Sequence, residues 1–255
     1  MRLKVLGCSG AEFPGYNAPG FLLDSEIVFD AGSITCVLDE KAQSKIKHIF
    51  ITHAHLDHVM SIPFLADSII IGSNNTHKIS IYSIPAVIRT IKKHLFNSSM
   101  WPDFSIIPNS HDAVLNFVEL KAGEAINING YTITPCKVNH TVPAVGYLVE
   151  DKKNRRFFYT GDTGPTDRTW KRINKKIHSL IIDVSFPNSM IDMALKTGHL
   201  TPKLLEEELL KIHPTPERIY ITHPKPQHFT TIQKELDELG MTNIWTLTRE
   251  DLIPV

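Results

Sequence analysis

Ile49-Phe50-Ile51-Thr52-His53-Ala54-His55-Leu56-Asp57-His58 is the stretch that decides how this chain folds and what chemistry it carries. An apolar run ends in three histidines and one aspartate packed into six positions. The run 46–51 has the β-branched and aromatic composition of a buried strand, and 59–71 has apolar spacing closer to a helix, so the cluster falls on a strand-to-helix loop. Alternate positions put His53 and His55 on one side of that loop, and Asp57 and His58 fall about half a turn further round. One loop can thus face two adjacent cations. Imidazole nitrogen with carboxylate oxygen suits zinc or a similar first-row metal, and three or four protein ligands per ion leave a position open for water.

Working outward, β-branched and aromatic runs predict strands over 3–6, 20–23, 27–29, 46–51, 78–83, 113–120, 131–138, 147–149, 156–159, 180–184, 218–221 and 243–247. Helical spacing predicts helices over 34–43, 58–69, 85–96, 167–173, 202–212 and 231–239. Hairpins mixed with crossover helices suggest an α/β architecture of two β-sheets with helices outside. With 255 residues and 42% hydrophobic content the chain can bury a sizeable core, and we read residues 1–255 as one domain. Lys plus Arg equals Asp plus Glu at 27 each, so no global field draws in a polyanion. No nucleic-acid partner is expected on that ground. The basic run Lys152-Lys153-Asn154-Arg155-Arg156 reads as a hairpin tip, and Arg168, Lys171, Arg172, Lys175 and Lys176 as the wet face of a helix. Cys8, Cys36 and Cys136 are odd in number and irregularly spaced, which argues against a disulfide framework. The N-terminal residues look like a first strand rather than a signal segment, and no apolar run reaches membrane-spanning length. A reducing cytoplasm with no membrane partner is the expected setting.

A two-metal site needs more ligands than one loop provides, and they should stand at the ends of later strands. Val138-Asn139-His140, Thr160-Gly161-Asp162-Thr163-Gly164 and Ile221-Thr222-His223-Pro224 each place a polar residue just beyond a buried run. Singly, Asp162 could cap a turn and His140 or His223 could be a hydrogen-bonded loop histidine. The ordered set resembles the metallo-β-lactamase superfamily of dinuclear metal hydrolases over nearly the whole chain. That resemblance implies a four-layer αββα sandwich, with His53, His55 and His140 on one metal, Asp57, His58 and His223 on the other, and Asp162 bridging. It implies two divalent ions, zinc first, with manganese or iron as alternatives. His55 stands where the flavodiiron relatives carry glutamate, which disfavours redox iron chemistry.

Val184-Ser185-Phe186-Pro187-Asn188-Ser189, followed by Gly198-His199-Leu200-Thr201-Pro202, together with Leu56 in the first motif, resembles the class II cyclic-nucleotide phosphodiesterases. Spacing alone makes Thr201 an N-cap and Pro202 a first helical residue, leaving His199 without a structural task. Pro63 departs from the class II pattern, which runs on with aliphatic residues there, and bears on where the local helix starts. The resemblance implies hydrolysis of cyclic AMP or cyclic GMP to the 5′-monophosphate. His199 would protonate the departing 3′ oxygen or hold the phosphate, and Asp57 counts with it among the catalytic residues. A homodimer is common among such relatives. The nearest competitor is a tRNA 3′-processing endonuclease of the ribonuclease Z type, which shares every metal motif and a histidine like His199. Those enzymes carry a long protruding arm before the bridging aspartate, whereas positions 141–161 allow a hairpin and no more. Outside catalysis, a metal-dependent binding or sensor protein is the remaining alternative. Phe13, Tyr16, Asn17 and Trp101 are candidates to contact a base.

Overall fold

Strands that are apolar on both faces must be covered on both faces, and the sequence has two sets of them. The structure, a computed structural model, describes residues 1–72, 77–173 and 175–255. Its strands in chain order are β1 (Arg2–Gly7), β2 (Gly20–Leu23), β3 (Ile27–Phe29), β4 (His48–Phe50), β5 (Ile79–Ser83), β6 (Leu115–Glu119), β7 (Ile126–Ile128), β8 (Tyr131–Lys137), β9 (Val145–Glu150), β10 (Arg156–Tyr159), β11 (Ser179–Asp183), β12 (Arg218–Thr222), β13 (Ile244–Thr246) and β14 (Leu252–Pro254). Among the described residues they form two seven-stranded sheets, ordered β14-β1-β2-β3-β4-β5-β6 and β13-β12-β11-β10-β9-β8-β7. Each sheet passes from antiparallel to parallel part-way across. In the first the change falls between β2/β3 and β3/β4, in the second between β9/β10 and β10/β11.

The helices are α1 (Ile34–Val37), α2 (Glu40–Gln43), α3 (Leu56–Val59), α4 (Ser61–Gly72), α5 (Pro85–His94), α6 (Arg168–Arg172), α7 (Ile191–Thr197), α8 (Pro202–Leu209) and α9 (Phe229–Asp237). Neighbouring strand residues alternate between two cores, as the pleat requires. Val28, Ile49 and Ile81 pack with α4 and α5 residues, whereas Phe29, Phe50 and Tyr82 turn into the space between the sheets. In the second sheet Phe157, Tyr159 and Ile181 face the same space, and Phe158, Leu180 and Ile182 pack under α8 and α9. Three apolar layers separate four structural ones. This is the αββα sandwich. The central layer is aromatic: Phe50 stacks on Tyr82 at 4.6 Å between centroids, and Phe157 meets Phe29 edge-on at 5.6 Å.

Several elements differ from the sequence reading. The helix expected over 34–43 is two short helices, because Leu38 is extended and Asp39 caps a new start, accepting from Ala42 N at 2.8 Å. The helix expected from His58 begins at Leu56 and is interrupted after Val59. Pro63 sits in the first turn of α4, where a missing N–H costs nothing. β7, α7 and β14 were not expected from the sequence. The hairpin tip and the exposed faces of α6 stand where the charge runs put them.

Candidate metal centre

The carboxyl ends of β3, β4, β11 and β12 meet at one edge of the sandwich, and the polar residues that follow them converge there. The loop after β4 carries His53 and His55, and α3 carries Asp57 and His58. The loop after β8 carries His140, the turn after β10 Asp162, and the turn after β12 His223. Ligand atoms of His53, His55, His140 and Asp162 all lie within 4.8 Å of one another, and so do those of Asp57, His58 and His223. Asp162 faces both groups. Its Oδ2 is 3.5 Å from His53 Nε2 and 3.4 Å from His223 Nε2, and its Oδ1 is 3.3 Å from His58 Nε2. All seven residues singled out in the sequence are therefore brought together.

What fixes the imidazoles is a set of residues that sequence reasoning missed. Asp30, fully buried after β3, accepts from Thr52 N at 2.8 Å, Thr52 Oγ1 at 2.9 Å, Tyr159 O–H at 2.7 Å and His58 Nδ1–H at 2.7 Å. Because the Thr52 hydroxyl proton goes to Asp30, Thr52 Oγ1 accepts from His53 Nδ1–H at 3.0 Å. Asp183, buried at the end of β11, repeats the device: it accepts from Ser185 Oγ at 2.6 Å and from His199 Nδ1–H at 2.7 Å. Ser185 Oγ in turn accepts from His223 Nδ1–H at 2.8 Å. His140 Nδ1–H donates to Gly198 O at 2.9 Å. Four tautomers are thereby set, and the Nε2 atoms of His53, His58, His140 and His223 point inward.

Those inward nitrogens fit divalent cations better than they fit one another. His53 Nε2 and His140 Nε2 lie 3.0 and 3.2 Å from the same atom, His55 Nδ1, whose single proton can satisfy only one of them. His58 Nε2 is buried, and its nearest carboxylate oxygen, Asp162 Oδ1 at 3.3 Å, is not in hydrogen-bond geometry. Burial, followed by repulsion from His58, holds His53 well below the usual histidine range, and burial likewise lowers His55 and His140. These three are neutral, as metal-ligating imidazoles must be. Burial opposes charge on His58, but Asp162 and Asp30 outweigh it and raise its pKa well above the ordinary value, so its Nε2 carries a proton that a bound cation would have to displace. Burial raises Asp162, yet His223, His58 and His53 together pull it well below the usual carboxylate range. Asp57 is also lowered, its burial outweighed by His223 and His58.

His199 closes the site on the side of β11. Its ring stacks on His223 at 5.2 Å and meets His140 at 5.3 Å. Burial lowers its pKa, but the Asp183 carboxylate overrides that and raises it. Its ligand atom also lies within 4.8 Å of those of Asp162 and His223. Gly198, at φ +72°, ends α7, and a Cβ there would stand 3.0 Å from His140 Nδ1. Of the residues suggested for base contact, Phe13 and Tyr16 are exposed and pair with each other in a tight bridge; Tyr16 faces Phe229 at 6.4 Å. Trp101 packs instead against Phe64 at 5.2 Å and the outer core of the first sheet.

A family model described as "Beta-lactamase superfamily domain" matches residues 27–223. The chain belongs to that family. Its curated relatives are of two kinds. The chain is similar to a probable 3′,5′-cyclic-nucleotide phosphodiesterase of Yersinia pestis, 29% identical over 188 residues, 67% of the chain and 52% of the relative. It is 29% identical to a 3′,5′-cyclic-nucleotide phosphodiesterase of Aliivibrio fischeri over 253 residues, 80% of the chain and 73% of the relative. It is 22% identical to a ribonuclease Z of Archaeoglobus fulgidus over 309 residues, 99% of the chain and 96% of the relative. The chain thus spans only about half the length of the first of these. Among solved structures, unliganded yeast PDE1 shares the fold at a TM-score of 0.84 and 20% identity, covering 98% of each chain. This superfamily domain is a hydrolase scaffold built around divalent metal ions, and the His/Asp cluster is where it would hold them.

Proposed function

We propose that this protein is a dinuclear-metal phosphodiesterase that opens 3′,5′-cyclic nucleotides to nucleoside 5′-monophosphates. His53, His55 and His140 would hold one ion, Asp57, His58 and His223 the other, with Asp162 shared between them. Two divalent ions, zinc first, would supply Lewis acidity toward phosphate oxygens and a nucleophile from water at neutral pH. The chain's own residues do the rest. Asp30 and Asp183 keep the imidazole tautomers fixed, so that ligand nitrogens are not turned away by ring rotation. As water gives up one proton to solvent and its oxygen bonds to phosphorus, the bond to the 3′ oxygen breaks with its electron pair on that oxygen, and His199 gives it the Nε2 proton.

The observation that carries phosphodiester cleavage is the seat of His199; the choice of a cyclic nucleotide as substrate rests on the named relatives and on the short span before Asp162. His199 Nδ1 is committed to a buried carboxylate at 2.7 Å, and its ring lies against two of the ligand histidines. Such a group suits a leaving oxygen beside the cluster. A second reading, tRNA 3′ processing, is favoured by the full-length similarity to ribonuclease Z. Against it, residues 145–150 and 156–159 are strands β9 and β10 of the second sheet, joined by a short tip, so the span holds no arm. The net charge of zero also offers tRNA little long-range attraction. We place the protein in the cytoplasm as one domain, with a homodimer as its assembly; no described helix is long and apolar enough to cross a membrane.

The test is a side-by-side assay of metal-loaded protein on cyclic AMP, cyclic GMP, bis(p-nitrophenyl) phosphate and a pre-tRNA with a 3′ trailer. Conversion of a cyclic nucleotide to the 5′-monophosphate is expected. Trailer cleavage with no action on cyclic nucleotides would transfer the assignment to ribonuclease Z. Inertness on all four with two metals bound would leave a binding or sensor protein.

A further inference from the structure

The loop that carries His140 also walls a second cavity, of about 430 Å³, lined by Lys137, Asn139, Pro165, Asp167, Arg168 and Arg172. Several of its acceptors already have donors. The Asp167 carboxylate is 3.0 Å from Lys211 Nζ. Lys137 O accepts from Thr169 Oγ1 at 2.9 Å, Asn139 O from Gly164 N at 2.7 Å, and Pro165 O from Asn139 Nδ2 at 2.7 Å. Among the described residues, Lys137, Arg168 and Arg172 have no carboxylate within ion-pair distance, and the one carboxylate in the lining is taken by Lys211. What the cavity offers is donors and positive charge, in a chain whose formal charge is zero.

We propose that this cavity binds a small phosphorylated ligand through its phosphate dianion, at a site separate from the metal centre. Lys137, Arg168 and Arg172 line this cavity while its one carboxylate, Asp167, is held by Lys211, so like charges repel across it and a bound dianion offsets that repulsion. Two guanidinium forks suit phosphate oxygens, which they can bind bidentately, and the lysine adds a point charge. The volume is in the range of small-ligand pockets, roughly 300 to 1,000 Å³. Its position gives the ligand leverage. Asn139 immediately precedes His140, and the Gly164 N–H bond to Asn139 O ties its loop to the turn carrying Asp162. An occupant resting on Asn139 and Pro165 touches both loops that position the shared carboxylate and one ligand imidazole. A solvated basic face would have none of this consequence.

Calorimetric titration of the metal-loaded protein with inorganic phosphate, and separately with AMP, tests the site. The metal centre itself accepts phosphate, so wild type is expected to show two binding events per chain and the Arg168→Gln/Arg172→Gln double variant one. The lost event should weaken at least ~10-fold with two guanidinium partners removed, and Arg172→Lys should keep most of it. Both arginines are exposed, so thermal stability and phosphodiester turnover without added phosphate should stay at wild-type levels. Equal affinity for phosphate and AMP means that the anion alone is held; tighter AMP means that the nucleoside is seated too, and either supports the proposal. One event in wild type, two in the double variant, or binding of a short RNA in place of any small phosphate overturns it. None of these outcomes depends on which phosphodiester the metal centre cleaves.

Discussion

Asp30 and Asp183 show most clearly how single residues make this site. Each is buried at a strand end, binds one imidazole directly, and orients a second through a hydroxyl. Asp30→Asn would strip the charge partner from the buried His58 and disturb Thr52 and Tyr159. We expect a stability loss of about 2–4 kcal/mol and a fall in metal affinity of about 10- to 100-fold, read by calorimetry and metal titration. His199→Ala should lower turnover while leaving metal content near two per chain; loss of an ion would instead make it a ligand, an option its distance to Asp162 and His223 permits. Neither buried aspartate was legible in the sequence, because a lone Asp after a strand reads as a turn residue. His53, His55, Asp57 and His58 were legible because histidine and aspartate rarely crowd so closely, whereas His140, Asp162 and His223 were legible only as polar residues beyond buried strands that complete the resemblance.

Cys8 gives a residue-level expectation of a different kind. Burial first, then Asp251, pushes its thiol up to about 12, and its S–H donates to Leu247 O at 3.2 Å. The folded state therefore binds this proton more tightly than the unfolded chain does. Its stabilising contribution is complete below the unfolded thiol pKa and is lost as pH rises through that value toward about 12. Alkylation at pH 8 should label the exposed Cys36 long before Cys8, followed by mass spectrometry. Equal labelling of the two would contradict the packing described.

At the scale of elements, the expected cap is present. Thr201 Oγ1 accepts from Leu204 N at 3.3 Å and Pro202 opens α8. Thr201→Ala should cost about 1 kcal/mol, which in a chain this size lowers Tm by roughly 2–4 °C with little change in turnover. Gly198→Ala should do more, because an L side chain at φ +72° is strained and its Cβ crowds His140 Nδ1. Reduced metal occupancy at His53, His55 and His140, measured by metal analysis, is the expected signature. The elements that escaped the sequence share physical causes. In α7 the apolar Met193 and Leu195 face solvent and only Ala194 is buried, so no apolar stripe announces a helix. β7 and β14 are three residues each, and β14 ends in Pro254, which suits only a strand end or edge. The continuous spacing over 34–43 concealed the restart at Asp39. Strands such as β9 and β11 were legible because both faces are apolar and buried.

For the whole molecule, the two sheets exist to hold strand ends in register. The αββα layering and the convergence of His140, Asp162 and His223 on the first loop were legible from strand ends and the resemblance together, whereas the pairing of β8 through β12 that produces this convergence was not. Ions bound to the folded state alone stabilise it by mass action, about 4 kcal/mol at a thousandfold excess over Kd. Chelation should therefore lower Tm, and restoring zinc or manganese should recover it. The most direct measurement is anomalous diffraction from crystals of the metal-loaded protein, with Asp162→Asn alongside. Two peaks are expected in the wild type, one among His53, His55 and His140 and one among Asp57, His58 and His223, with occupancy falling at both in the variant. No peak, a single peak, or two peaks undisturbed by loss of the Asp162 carboxylate would contradict a paired metal centre.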